Sequence, residues 1–264
     1  MACNLKVWLM VSFILLPLVF GVPQVPCLFF MGDSLFDNGN NNNLVTEAKA
    51  NYPPYGIDFP QGPTGRFSNG KNMADFLAEY LGFGKPIPPF ASTATDDQEI
   101  LKGVNYASGA AGIRDETGYQ LILYNKGARK IALFGLGLIG CIPAEIANYG
   151  ANGCVDTVNK DVQLFNNGLD LLVNDLNRDL PDARFIYINV TEISSGDPSV
   201  FGITVTNAPC CIVSTTIARG QCAPNLVPCD NRSMYAFYDG FHPTQSAGEL
   251  LAAGAYAYLP PLLL

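Results

Sequence analysis

The chain has 264 residues, 48% of them hydrophobic and 14% charged, and a formal net charge of −8. That length and balance describe one full-sized domain with its own core, and exclude a disordered tail, a repeat array or a coiled coil. The acidic excess argues against nucleic acid and anionic membranes as partners, because phosphate binding needs clustered Lys and Arg.

Lys6 precedes the apolar stretch "VWLMVSFILLPLVF", which is too short to span a bilayer. Val19 and Gly21 then supply the small side chains that a signal peptidase accepts. Residues 1–21 therefore read as a secretory signal removed after Gly21, and 22–264 as a single domain. The expectation is a secreted, extracellular protein with no stable membrane anchor. The C-terminal "LPPLLL" is also too short for a span.

Four apolar runs predict strands: "PCLFFMG" (26–32), "VNYA" (104–107), "KIALFG" (130–135) and "RFIYIN" (184–189). Most are nearly continuous, the pattern of strands buried on both faces of a parallel sheet. "GKNMADFLAEYLG" (70–82) predicts a helix. Val158, Val162, Phe165, Leu169, Leu172 and Leu176 recur at steps of four and three, so they predict one buried helix face. A last helix is expected from about Thr244 to Tyr258, with Pro243 just ahead of it. Strands alternating with helices give an α/β sandwich with helices on both faces.

Seven cysteines follow the signal segment, and in a secreted chain they read as disulfides before metal ligands. Cys141 and Cys154 can close one small loop. Cys210, Cys211, Cys222 and Cys229 can form two more bridges in any pairing, which leaves Cys27 free in an apolar run. No histidine lies among them, so no metal site is expected.

Two places carry chemistry. The chain has one histidine, His242, in "YDGFHPT", with Asp239 three residues before it. On a loop leading into a helix, that spacing lets the carboxylate fold back onto Nδ1 and leaves Nε2 to take a proton from a hydroxyl. Ser34 ends the most apolar strand candidate, in "GDS", where an open α/β sheet binds its ligands. Its backbone N–H could help bind an oxyanion. Taken alone, the tripeptide reads as a helix N-cap.

Taken together, "FFMGDSLFDNGNNN", "NYPPYGIDFP", "PTGRFSNGKNMADFLAEYLG", "GVNYASGAAGI", "GARKIALFGLGLIGCIP", "DARFIYIN", "VTNAPCC" and "YDGFHPT" resemble the plant GDSL esterase/lipases of the SGNH hydrolase group. The resemblance covers nearly all of the chain after residue 21, in the same order. It implies a flavodoxin-like three-layer α/β/α sandwich with a mostly parallel sheet. It also implies a secreted ester hydrolase that acts on lipid or small-molecule esters without a cofactor. By position, Ser34 is the nucleophile, His242 the general base and Asp239 its orienting partner. The implied oxyanion donors are the N–H of Ser34 and that of Gly109, with Gly112 second in line.

The family's third motif, G-x-N-D, is absent. The sequence passes from Gln120 straight to "LILYNKGARKIALFG", which implies an internal truncation near 120/121 and one missing central strand. The alternative function is then a non-catalytic secreted relative. Asn174-Asp175 reads as helix surface, and Gly135, Gly137 and Gly140 as a strand-end loop, because Cys141-Ile142-Pro143 follows them. The Asn-rich run 38–43 reads as a turn and Arg66 as structural. Asn231 and Asn189 begin glycosylation sequons, with Asn231 the more accessible.

Overall fold

The computed structural model describes residues 22–92, 100–112, 123–124, 126–216 and 218–263. The expected signal at 1–21 and the junction at 120/121 lie outside the described residues.

Helix α1 (Met73–Tyr80) begins where the sequence supplies a reciprocal cap. The Asn72 side chain accepts from the Asp75 N–H, and the Asp75 carboxylate accepts from the Asn72 N–H. Arg66 then closes on the same carboxylate with two bonds, at 2.7 and 2.8 Å, and both side chains are buried. Arg66 is thus structural: it ties the loop before α1 to its first turn.

Strand β1 (Lys130–Phe134) and strand β2 (Arg184–Ile188) pair in parallel, from Lys130 opposite Arg184 to Phe134 opposite Ile188. Helix α2 (Pro143–Tyr149) and the long helix α3 (Asp156–Asp179) lie between them in the chain. Val162 and Val173 of α3 are buried, and Val158, Phe165, Leu169 and Leu176 are half-buried. Leu172 is the exception to the expected stripe, turning outward with 47% exposure. Asn174 and Asp175 are exposed on this helix, as read from the sequence.

A short helix α4 (Val190–Ile193) follows β2. Strands β3 (Val205–Pro209) and β4 (Tyr235–Phe237) then form a second parallel pair, and helices α5 (Gln245–Tyr256) and α6 (Pro260–Leu263) close the chain. Helix α1 packs against α5. The apolar core joins Phe30, Phe36, Met73, Phe76, Leu77 and Ile188 to Ala252, Ala255 and Leu259.

The architecture is α/β with parallel strand pairs, but two of the expected strands are much reduced. Segment 28–32 runs parallel to 102–108 through bonds from Leu28 N–H to Lys102 C=O, Phe30 N–H to Val104 C=O, Tyr106 N–H to Phe30 C=O and Ser108 N–H to Gly32 C=O. Only Phe30 and Asn105 pair residue to residue. Phe30 is buried, whereas Phe29 and Met31 are each 44% exposed, so the segment covers one face only. Among the described residues no strand joins this segment to β1. Side chains span the interval instead, with the Phe36 and Phe134 rings 5.3 Å apart, edge to face.

Candidate active site

The loop between β4 and α5 is folded tightly by its own backbone. Tyr238 N–H donates to His242 C=O, Thr244 N–H donates to Ala236 C=O, and Pro243 returns beside Phe237. Thr244 caps α5 by accepting from the Ala247 N–H, and its hydroxyl donates to Tyr235 C=O. Within this frame Asp239 Oδ1 accepts the backbone N–H groups of Phe241 and His242, both at 2.8 Å. These bonds hold the carboxylate against the ring three residues ahead. His242 Nδ1 lies 2.9 Å from Oδ1 and 2.8 Å from Oδ2.

Ser34 reaches the same imidazole from the far end of the chain. No helix begins at Ser34; residues 33–36 form a turn in which Leu35 N–H is held by Asp33 Oδ1 and Phe36 N–H by Asp33 C=O. The Ser34 Oγ lies 2.7 Å from His242 Nε2. A carboxylate can only accept, so Nδ1 carries the proton toward Asp239, Nε2 is left as the acceptor, and the serine hydroxyl donates. Asp239 is fully buried, His242 nearly so, and Ser34 half-buried, so the polar line runs from the interior to an accessible hydroxyl. The Phe67 ring lies 4.9 Å from the imidazole and limits its rotation.

Sequence reasoning missed Tyr55, whose buried hydroxyl donates to Asp239 Oδ2 at 2.6 Å and accepts from the Cys222 N–H at 3.1 Å. It also missed Asp37. This buried carboxylate accepts from the Gly39 and Asn40 N–H groups at 2.7 Å each and from the Gly109 N–H at 2.9 Å. Burial pushes the Asp37 carboxyl above its ordinary range, and the N–H groups of Gly39, Gly109 and Asn40 pull it back. Gly109 is therefore engaged: its N–H points at Asp37 and its C=O accepts from Asn41. The Ser34 N–H makes no hydrogen bond among the described residues.

The Asn-rich run does more than turn the chain. Asn38 and Asn41 are buried; Asn38 donates to Ile87 C=O, and Asn40 donates to the carbonyls of Asn105 and Ala107. The two Asn40 bonds tie the run that follows the Ser34 turn to segment 102–108. Nothing in a polar run signals such burial, because its partners are distant in sequence.

The cysteines pair as Cys141–Cys154, Cys210–Cys229 and Cys211–Cys222, leaving Cys27 free. Among the described residues no cluster of His, Cys, Asp and Glu could hold a metal ion. Asn231 is exposed, with its Oδ1 accepting from Ser233 Oγ at 2.8 Å. Asn189 is half-buried and caps α4 by accepting from the Glu192 N–H.

A hydroxyl whose proton can leave through an imidazole anchored on a buried carboxylate is the working unit of serine-type acyl-transfer chemistry. The comparisons with known proteins point the same way. A family model described as GDSL-like lipase/acylhydrolase matches in two pieces, residues 28–126 and 116–254. Among curated relatives, one GDSL esterase/lipase of Arabidopsis thaliana is 38% identical, over 88% of this chain and 87% of its own. A second from the same plant is 37% identical over 96% and 93%, and a third 36% identical over 89% of each. The chain belongs to the GDSL lipase/acylhydrolase family, among the plant GDSL esterase/lipases, and is a carboxylic ester hydrolase.

The first of these alignments runs over 319 positions, whereas 88% of 264 residues is about 232; about 87 positions of that relative therefore face no residue here. The two pieces of the family match meet within 116–126.

Proposed function

We propose that the chain is a secreted serine esterase that cleaves carboxylic esters of lipids or small molecules through an acyl-enzyme on Ser34. The observation that carries this reading is the 2.7 Å bond from Ser34 Oγ to an imidazole whose other nitrogen is held by buried Asp239. Ser34 Oγ attacks the ester carbonyl carbon as its proton passes to His242 Nε2. The tetrahedral adduct expels the alcohol, which takes that proton. A water then gives its proton to Nε2 and attacks the acyl carbon, and Ser34 is released with the proton returned. Asp239 stays ionised throughout and stabilises the imidazolium. The Ser34 N–H is the oxyanion donor, with the Gly109 N–H held by Asp37.

Secretion is supported by the apolar segment ahead of residue 22 and by three disulfides. A glycan on Asn231 fits its exposure. We read residues 22–264 as one domain that has lost a middle stretch near 120/121. The meeting point of the two family-model pieces and the unmatched positions support this reading. The absent Asn donor alone predicts a rate roughly 10²–10³ below that of a complete site. The engaged Gly109 N–H favours, as second reading, a relative that binds esters without turning them over.

Treatment of the secreted protein with a fluorophosphonate, followed by mass spectrometric mapping, separates the two readings. The expected adduct is on Ser34 and vanishes in His242→Ala. A folded protein with no adduct would leave only the non-catalytic reading.

A further inference from the structure

Tyr55 is fully buried, 184 residues from Asp239 in sequence, and the two meet at 2.6 Å through the phenol hydroxyl and Oδ2. Its place is set from several directions. The Cys222 N–H donates to the phenol oxygen, and Cys222 is bridged to Cys211. Tyr52 donates to the Cys222 carbonyl, so both backbone groups of the bridged residue are used by this pair of tyrosines. The rings of Tyr52, Phe67 and Tyr238 stand at steep angles around Tyr55, with centroids 5.3, 6.0 and 5.8 Å away. A ring this confined cannot swing its hydroxyl elsewhere.

We propose that Tyr55 is a positioning residue for ester hydrolysis: anchored by the disulfide-bridged Cys222, it fixes Asp239 and draws off part of the negative charge that the carboxylate presents to His242. The proposal rests on the triad reading above. A phenol that donates to Oδ2 spreads the carboxylate's charge, so the imidazolium beside it is stabilised less than by a bare carboxylate. Burial, and next the Asp239 carboxylate, push the Tyr55 phenol well above its ordinary range, which keeps its proton in place as a donor. The neighbouring titratable groups do not compete for this role. Tyr52 is pushed up to about 12 by burial and by Asp239, and Tyr238 is raised by burial. The Asp58–Arg232 pair lies beyond Tyr238, the Asp33 carboxylate accepts within the Ser34 turn, and the Asp37 carboxylate accepts from Gly109.

Because the chain holds one histidine, isotope-labelled histidine reports the titration of His242 directly by NMR, with no substrate and no assignment step. In Tyr55→Phe the titration midpoint should rise by about half a pH unit or more, because the carboxylate regains its charge. On an aryl ester, kcat should fall roughly tenfold, KM should stay within about twofold, and the acid limb of the rate profile should move up with the midpoint. Tyr238→Phe removes a buried hydroxyl from the same ring cluster, one that donates to Pro54 C=O rather than to Asp239. It should lower thermal stability and leave the midpoint where it was.

Replacing all tyrosines with a ring-fluorinated tyrosine covers the case in which Tyr55→Phe fails to fold. The stronger donor should lower the midpoint. An unmoved midpoint in Tyr55→Phe or in the fluorinated protein overturns the proposal, as does an equal shift in Tyr238→Phe. An unsubstituted protein that neither hydrolyses esters nor takes fluorophosphonate at Ser34 defeats the functional reading, while the His242 midpoint still reports on the Tyr55–Asp239 link.

Discussion

Asp239 illustrates how much of a site can hang on one side chain. Its two oxygens accept two backbone N–H groups, one phenol and the imidazole Nδ1–H. Replacing one oxygen by an amide sets a donor against these donors and stabilises the wrong imidazole tautomer, with the proton on Nε2. Asp239→Asn should therefore lower kcat by up to about 10⁴ while the near-ultraviolet circular dichroism is kept; steady-state kinetics on an aryl ester would check it. The pairing of Asp239 with His242 was legible from a spacing of three residues, because a local turn is enough to make the contact. Tyr55 was not, since nothing in "NYPPYG" says which distant group its hydroxyl meets.

At the level of elements, the site depends on α5 starting where it does. Thr244 caps that helix and its hydroxyl also holds the last strand, so one side chain fixes both ends of the loop that carries Asp239 and His242. Thr244→Ala should cost about 2 kcal/mol, one cap plus one buried hydrogen bond, seen as a lower urea midpoint at unchanged slope. Helices α1, α3 and α5 were readable from apolar periodicity and caps. Strands β3 and β4 were not. The first has its two exposed residues, Thr206 and Asn207, side by side and so shows no period of two, and the second is three residues long. The apolar run 26–32 misled in the opposite direction. Its composition implies two covered faces, yet Phe29 and Met31 are exposed and pairing is confined to one side.

Across the whole molecule, long-range staples hold together what the sheet does not. The pairs Cys210–Cys229 and Cys211–Cys222 close loops of 19 and 11 residues, and both bridges lie in the second core with Tyr55, Phe67 and Tyr238. Replacing Cys210 and Cys229 together by Ala should lower the unfolding free energy by about 2–4 kcal/mol, measured by urea denaturation of the secreted protein. The same core carries the face of the molecule on which Asp239 and His242 sit, so partial loss of ester hydrolysis should accompany the loss of stability.

What the sequence by itself determined is whatever is local or carried by motif order. It set the α/β class, the principal helices, the strands of the β1–β2 pair, the six cysteines that pair, and the three residues that meet at 2.7 and 2.8 Å. The tertiary structure alone decided how Cys210, Cys211, Cys222 and Cys229 are matched, that the Gly109 N–H is taken by Asp37, and that Asp37 and Tyr55 stand behind the site. These outcomes depend on groups brought together from 11 to 184 residues apart. Buried polar atoms must find partners somewhere, and which partner is within reach is fixed by packing rather than by any pattern along the chain.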